Sequence, residues 1–129
     1  MEVLTFKLAD EPFGISIDRV EAIEHLVPVT YVPKAKAYIA GLINIRGDIV
    51  PAIDMGTLLN LGKAYENNKL ILIRSDDQPI ALMVDDVDDV INIEESDIET
   101  VSGETGDFSI INYNERVITF ISEKQINII

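Results

Sequence analysis

The chain of 129 residues contains no cysteine. That absence excludes disulfides, zinc–thiolate centres and a cysteine nucleophile. Histidine occurs once, at His25. A Ser-His-Asp triad needs that one ring to meet a serine and a carboxylate, and no Gly-x-Ser-x-Gly elbow marks such a serine. His25 therefore reads as an ordinary strand-end or surface residue. Basic residues are also scarce: 10 Lys and Arg stand against 23 Asp and Glu, for a net charge of −13. A chain so acidic is repelled by nucleic acid and by anionic membrane surfaces, and no basic patch with interleaved aromatics offsets that. Neither nucleic-acid binding nor direct membrane insertion is expected. No apolar run approaches the roughly 18 residues that a membrane span needs. No basic segment leads into an apolar stretch near residue 1, so no signal peptide is expected and a cytoplasmic location is the reading. Glycine-rich phosphate cradles are missing as well.

Acids are plentiful, but plenty makes close pairs uninformative. The densest group is "VDDVDDV", residues 84–90. Its valines at 84, 87 and 90 recur every three residues, as in a turn of helix or a 3₁₀ turn leaving a strand. Asp85, Asp86, Asp88 and Asp89 lack the alternate acids, central glycine and terminal glutamate of a calcium loop. The group reads as a solvated acidic turn. No catalytic residue, metal site or cofactor is expected, and the chain does not read as an enzyme.

What the sequence does contain is alternation. Leu4, Phe6 and Leu8 share one face of a half-buried strand, "ADEPFG" supplies turn chemistry, and Ile15-Ser16-Ile17 starts a second strand. The same script returns in "LILIRSDDQPIALMV". Pro12 falls on Pro79, Val20 on Val87 and Ile23 on Val90, a constant offset of 67. Leu42–Val50 falls on Ile110–Ile118 at an offset of 68. Two segments matching at nearly one offset point to an internal duplication, with halves of roughly 1–62 and 69–129. Each half offers four or five short strands, and a lobe of that size is marginal alone, so the halves are expected to share a core or exchange strands. Helical signals are few: "AKAYIAGL", "DMGTLLNLG" and the terminal "SEKQINII", with "GKAYENNK" as a polar linker.

One charge stands out in "GLINIRGDIVPAIDM", where Arg46 sits between two apolar runs. Its counterpart in the second copy is Asn114, so the hairpin does not need a cation at that place. Arg46 thus moves from turn filler towards partner contact. The Arg46-Gly47-Asp48 tripeptide resembles an adhesion motif, but nothing here suggests secretion.

Taken together, "FKLADEPFGISIDRVEAI", "VPVTYVPKAKAYIAGLINIRGDIVPAIDM" and "ALMVDDVDDVINI" resemble the CheW-like chemotaxis coupling family nearly end to end. Gly14-Ile15, Val20 and Ile23 match its first motif. Pro33, Ala35, Gly41, Asn44, Arg46, Gly47, Pro51 and Asp54 match its second. Val84-Asp85, Val87 and Val90 match its third. The resemblance implies two small five-stranded, SH3-like β-barrel lobes packed around a shared core, with few short helices. It implies a non-catalytic adaptor bridging the cytoplasmic tip of methyl-accepting chemoreceptors and the regulatory domain of the CheA histidine kinase. By position it carries over Val20, Arg46, Val87 and Val90 as receptor contacts and Gly41 as a kinase-linked residue. Plain core packing competes for the three valines. Backbone permissiveness before a strand is the favoured account of Gly41. Two departures stand out. Ala22 occupies the place of a usual family glutamate, and the stretch before the last hairpin is short. The alternative within the fold is a module serving a non-chemotaxis histidine-kinase pathway, in motility or development. An alternative of another class is a small-molecule-binding β-barrel or hydrolase, which requires a deep polar pocket with converging acids.

Overall fold

The computed structural model describes residues 1–61, 69–75, 78–104, 106–122 and 125. Strands β1 (Glu2–Leu8) and β2 (Glu11–Ser16) are followed by a 3₁₀ turn at Ile17–Arg19, then β3 (Val20–His25), β4 (Ile39–Ile45), β5 (Asp48–Asp54) and the one-turn helix α1 (Met55–Leu58). The chain continues through β6 (Lys69–Ser75), β7 (Gln78–Val84), β8 (Asp86–Asn92), a second 3₁₀ turn at Glu95–Asp97, β9 (Ile98–Gly103), β10 (Gly106–Tyr113) and β11 (Arg116–Ile121). The linker expected over "GKAYENNK" and the terminal helix over "SEKQINII" lie outside the described residues, save Lys69, Ser122 and Gln125.

These strands form two sheets. One is six-stranded in the order β8-β1-β2-β11-β10-β9, and the other is five-stranded in the order β3-β6-β7-β5-β4. The hairpin β1–β2 therefore lies in the sheet of the chain's last strands. Both sheets follow one rule. Phe6 pairs with Phe13 in the first and Ile73 with Ile80 in the second, 67 residues on. Ile111 pairs with Ile118 as Ile43 pairs with Val50, 68 residues apart. Each sheet also contains one parallel contact, β2 with β11 and β7 with β5, again at corresponding residues.

Alternation explains the faces. In β6, Ile71 and Ile73 join a central cluster, while Leu70 and Leu72 point to the opposite side. β7 does the same with Ile80, Leu82 and Val84 against Ala81 and Met83. The central cluster is shared by both sheets, since Leu4, Phe6, Leu8, Phe13 and Ile15 meet Ile53, Ile71, Ile73, Ile80 and Leu82 there. Phe6 and Phe13 stack at 5.9 Å. Each fully buried aliphatic or aromatic side chain of this kind stabilises the fold by about 1.5–3 kcal/mol. A second cluster lies on the other face of the five-stranded sheet and a third on that of the six-stranded sheet. β1 consequently differs from the half-buried strand read from its alternation. Val3 and Thr5 are as buried as Leu4 and Phe6, because both faces of β1 are covered.

The expectation of two closed five-stranded, SH3-like barrels is not met. Among the described residues, no ladder joins β3 to β4 or β8 to β9, so both sheets are open and one has six strands. Closure requires backbone pairing between edge strands. At β4 that edge is engaged by another segment, where Thr30 N–H donates to the Leu42 carbonyl and Leu42 N–H donates back to the Thr30 carbonyl, both at 2.8 Å. The mainly-β, two-lobed architecture with few short helices stands. Two local expectations also change. "AKAYIAGL" runs into strand β4 rather than a helical turn, and "VDDVDDV" is the end of β7 and the body of β8 rather than a helical turn.

Candidate functional site

The period of three in the valines has a cause in the sheet. Val87 pairs with Phe6 and Val90 with Leu4, so two residues of β8 oppose Thr5 alone. This β-bulge restores Val87 and Val90 to the same face despite their odd spacing. Strand β3 repeats the device: Val20 pairs with Ile73 and Ile23 with Ile71, with two residues opposing Leu72. Paired residues project from the same face of a sheet. All four side chains therefore share the face of Leu4, Phe6, Ile71 and Ile73, which builds the central cluster.

Their depths differ. Val20 and Val87 are half-buried and pack against that cluster. Ile23 and Val90 lie further along their strands, each 45% exposed. The structure thus brings Val20 and Val87 onto one core and leaves Val90 on the surface beyond it. Ile23, the counterpart of Val90, carries no site signal of its own in the sequence. Its offset match to Val90 was the signal that could have found it.

The bulge on β8 is locked by Thr5, which is 4% exposed. Its hydroxyl donates to Asp89, with the carbonyl at 3.0 Å and Oδ1 at 2.9 Å, and accepts from the Asp89 N–H at 3.2 Å. One aspartate of the acidic run therefore holds an edge strand in place.

Arg46 sits in the two-residue turn between β4 and β5. Arg46 and Gly47 have φ of 54° and 90°, and the corresponding Asn114 and Glu115 have 49° and 64°. Positive φ at both central residues is the signature of a type I′ hairpin turn, whose twist suits the flanking strands. The Gly47 N–H donates to Asn44 Oδ1 at 3.1 Å. The Arg46 side chain is 71% exposed, and its Nη2 forms an ion pair with Glu24 Oε1 on β3. That pair ties Arg46 to the strand that begins at Val20. In the sequence Glu24 is one of several acids around Ala22 and carries no signal of its own. Ala22 itself packs against the second cluster.

Gly41 lies apart from these residues, buried in β4. A Cβ there would stand 2.2 Å from the Thr30 carbonyl oxygen and 2.8 Å from Val29 Cγ1. The glycine allows the 26–33 segment to lie directly on β4. Beside that contact, Leu42 and Ile49 are exposed next to Val27 and Pro28, forming an apolar groove.

Among the described residues, no group of three or more histidines or carboxylates stands where it could hold a metal ion. The polar cleft at Lys7, Asp88, Asp89 and Arg116 is open to solvent, and Lys7 pairs with Asp88 there at 4.0 Å. Among the described residues, no helix is long and apolar enough to cross a membrane.

A family model described as CheW-like domain matches residues 2–126. The chemotaxis protein CheW of Bacillus subtilis (strain 168) is 35% identical over 102 residues, covering 77% of this chain and 65% of that protein. The chain thus matches just under two thirds of that relative's length. The chemotaxis protein CheW of Thermotoga maritima is 28% identical over 125 residues, covering 93% of this chain and 83% of its own. The crystal structure of the scaffolding protein TtCheW from Thermoanaerobacter tengcongensis superposes with a TM-score of 0.84 at 30% identity, over 94% of this chain and 88% of that one.

Proposed function

This chain belongs to the CheW-like domain family, and on that premise we propose that it is a non-catalytic adaptor in chemotaxis signalling. It couples the cytoplasmic tips of methyl-accepting chemoreceptors to the regulatory domain of the CheA histidine kinase, and it works in the cytoplasm. The observation that carries this reading is the pair of aliphatic rows on the edge strands β3 and β8. Val20 and Val87 root in the shared core, and Ile23 and Val90 emerge from it. A partner helix can seat apolar anchors on such rows, with Arg46 beside β3 to grip its polar flank.

Gly41 enters the kinase side of this reading through packing. It supports the 26–33 segment that, with Leu42 and Ile49, forms the exposed apolar groove. An adaptor of this kind works by affinity and geometry, since binding one partner holds the other at high effective concentration and in fixed orientation. The test is binding of the full chain to a receptor cytoplasmic fragment and to the kinase regulatory domain from the same genome, separately and together. A ternary complex is expected. Binding to neither partner would sink the proposal.

A further inference from the structure

Two independent constraints act on the Arg46 side chain. Its backbone is fixed in the left-handed region by the type I′ turn, and the turn is braced by the Asn44–Gly47 hydrogen bond. Its guanidinium is held at Nη2 by Glu24. The pair is rooted at the carboxylate end and open at the cationic end, with side-chain exposures of 28% for Glu24 and 71% for Arg46. A guanidinium carries five N–H donors, and one carboxylate oxygen occupies few of them.

The other sheet shows that the fold does not require this pair. Its corresponding turn carries Asn114, and the position corresponding to Glu24 is Ile91, 7% exposed within the third cluster. The same strand register is therefore built there around an apolar side chain where the first sheet places a carboxylate. Exposed ion pairs add little stability, about 0–1 kcal/mol. A long flexible side chain held in one place, by contrast, loses less entropy when a partner binds it.

We propose that Glu24 is the positioning residue of Arg46. It holds the guanidinium beside β3 with its free donors facing solvent, ready for a carboxylate on the partner helix. This rests on reading Arg46 as a receptor contact, and the experiment separates the two ideas. The full chain and its Glu24→Ala, Glu24→Gln, Arg46→Ala and doubly substituted E24A/R46A forms are titrated with the receptor cytoplasmic fragment and with the kinase regulatory domain, and their thermal unfolding is followed. Glu24→Ala is expected to weaken receptor binding about three- to fivefold, the range an exposed pair can supply. Kinase binding and thermal stability stay at the level of the unaltered chain. Glu24→Gln, which keeps an acceptor oxygen, recovers most of the loss, and the double variant binds the receptor no more weakly than Arg46→Ala alone. Unaltered receptor binding by Arg46→Ala removes the contact reading itself. Weak binding by Arg46→Ala with normal or tighter binding by Glu24→Ala overturns positioning alone. Joint loss of stability and of both partners in Glu24→Ala also overturns it, because the pair is then a structural brace.

Discussion

Arg46 and Glu24 come from opposite edges of the five-stranded sheet, and their side chains meet in an ion pair across the gap that backbone pairing leaves open. The sheet curls enough to bring β3 and the β4–β5 turn together without closing into a barrel. Ala22, Ile43, Ile45, Val50, Leu70 and Met83 fill the face enclosed by that curl.

Charge reversal at Arg46 is expected to separate binding from folding. Arg46→Glu sets a carboxylate against Glu24 at an exposed site, so the stability cost is about 1 kcal/mol or less. Receptor binding is expected to fall about tenfold or more, as for a reversed charge at an interface. Circular dichroism and titration with a receptor fragment check the two halves. Native folding with undiminished receptor affinity would count against a contact role.

Val87 and Val90 lie on one strand and one face, yet their substitutions should diverge. Val87→Asp drives a carboxylate against the central cluster and is expected to cost about 2–4 kcal/mol. Val90→Asp places it at a site already 45% exposed, and stability changes by about 0.5 kcal/mol or less while receptor binding is lost. Denaturant titrations of both variants decide this, and equal destabilisation would refute the difference in depth.

Gly41→Ala should act through the backbone. A methyl group 2.2 Å from the Thr30 carbonyl forces the 26–33 segment off β4. The expected cost is about 1–3 kcal/mol, as in other overpacked sites. Kinase-domain binding is expected to weaken while receptor binding persists. Unchanged hydrogen exchange at the Thr30 and Leu42 amides would show that the segment has not moved.

Thr5→Val keeps the shape of a buried side chain and removes its hydroxyl. The Asp89 N–H then loses its acceptor at the β8 bulge, for an expected loss of about 1–2 kcal/mol. Because the bulge sets the alignment of Val87 and Val90, receptor binding is expected to weaken with it. A variant as stable as the parent would show that water replaces the hydroxyl.

Much of the strand content was legible in the sequence because it rests on local signals. Alternation placed Leu4, Phe6 and Leu8 on one face, and the short polar turn at Arg46 between two apolar runs marked a hairpin. The site was legible only in part. The spacing of Val84, Val87 and Val90 suggested a helical turn, since a bulge and a helix both bring residues three apart to one side. Glu24 gave no signal among many acids, and Ile23 was visible only as the counterpart of Val90.

By itself, the sequence determined the hairpins and the acidic, cysteine-free composition, because each depends on residues close in the chain or on composition alone. Only the tertiary structure decided that β1–β2 joins the last strands, that β2 meets β11 and β7 meets β5 in parallel, and that both sheets stay open. Alternation states which face of a strand is apolar but not which strand lies beside it. The meeting of Arg46 with Glu24 belongs to the second kind. Their 22-residue separation is bridged by the curl of a whole sheet, which no local pattern encodes.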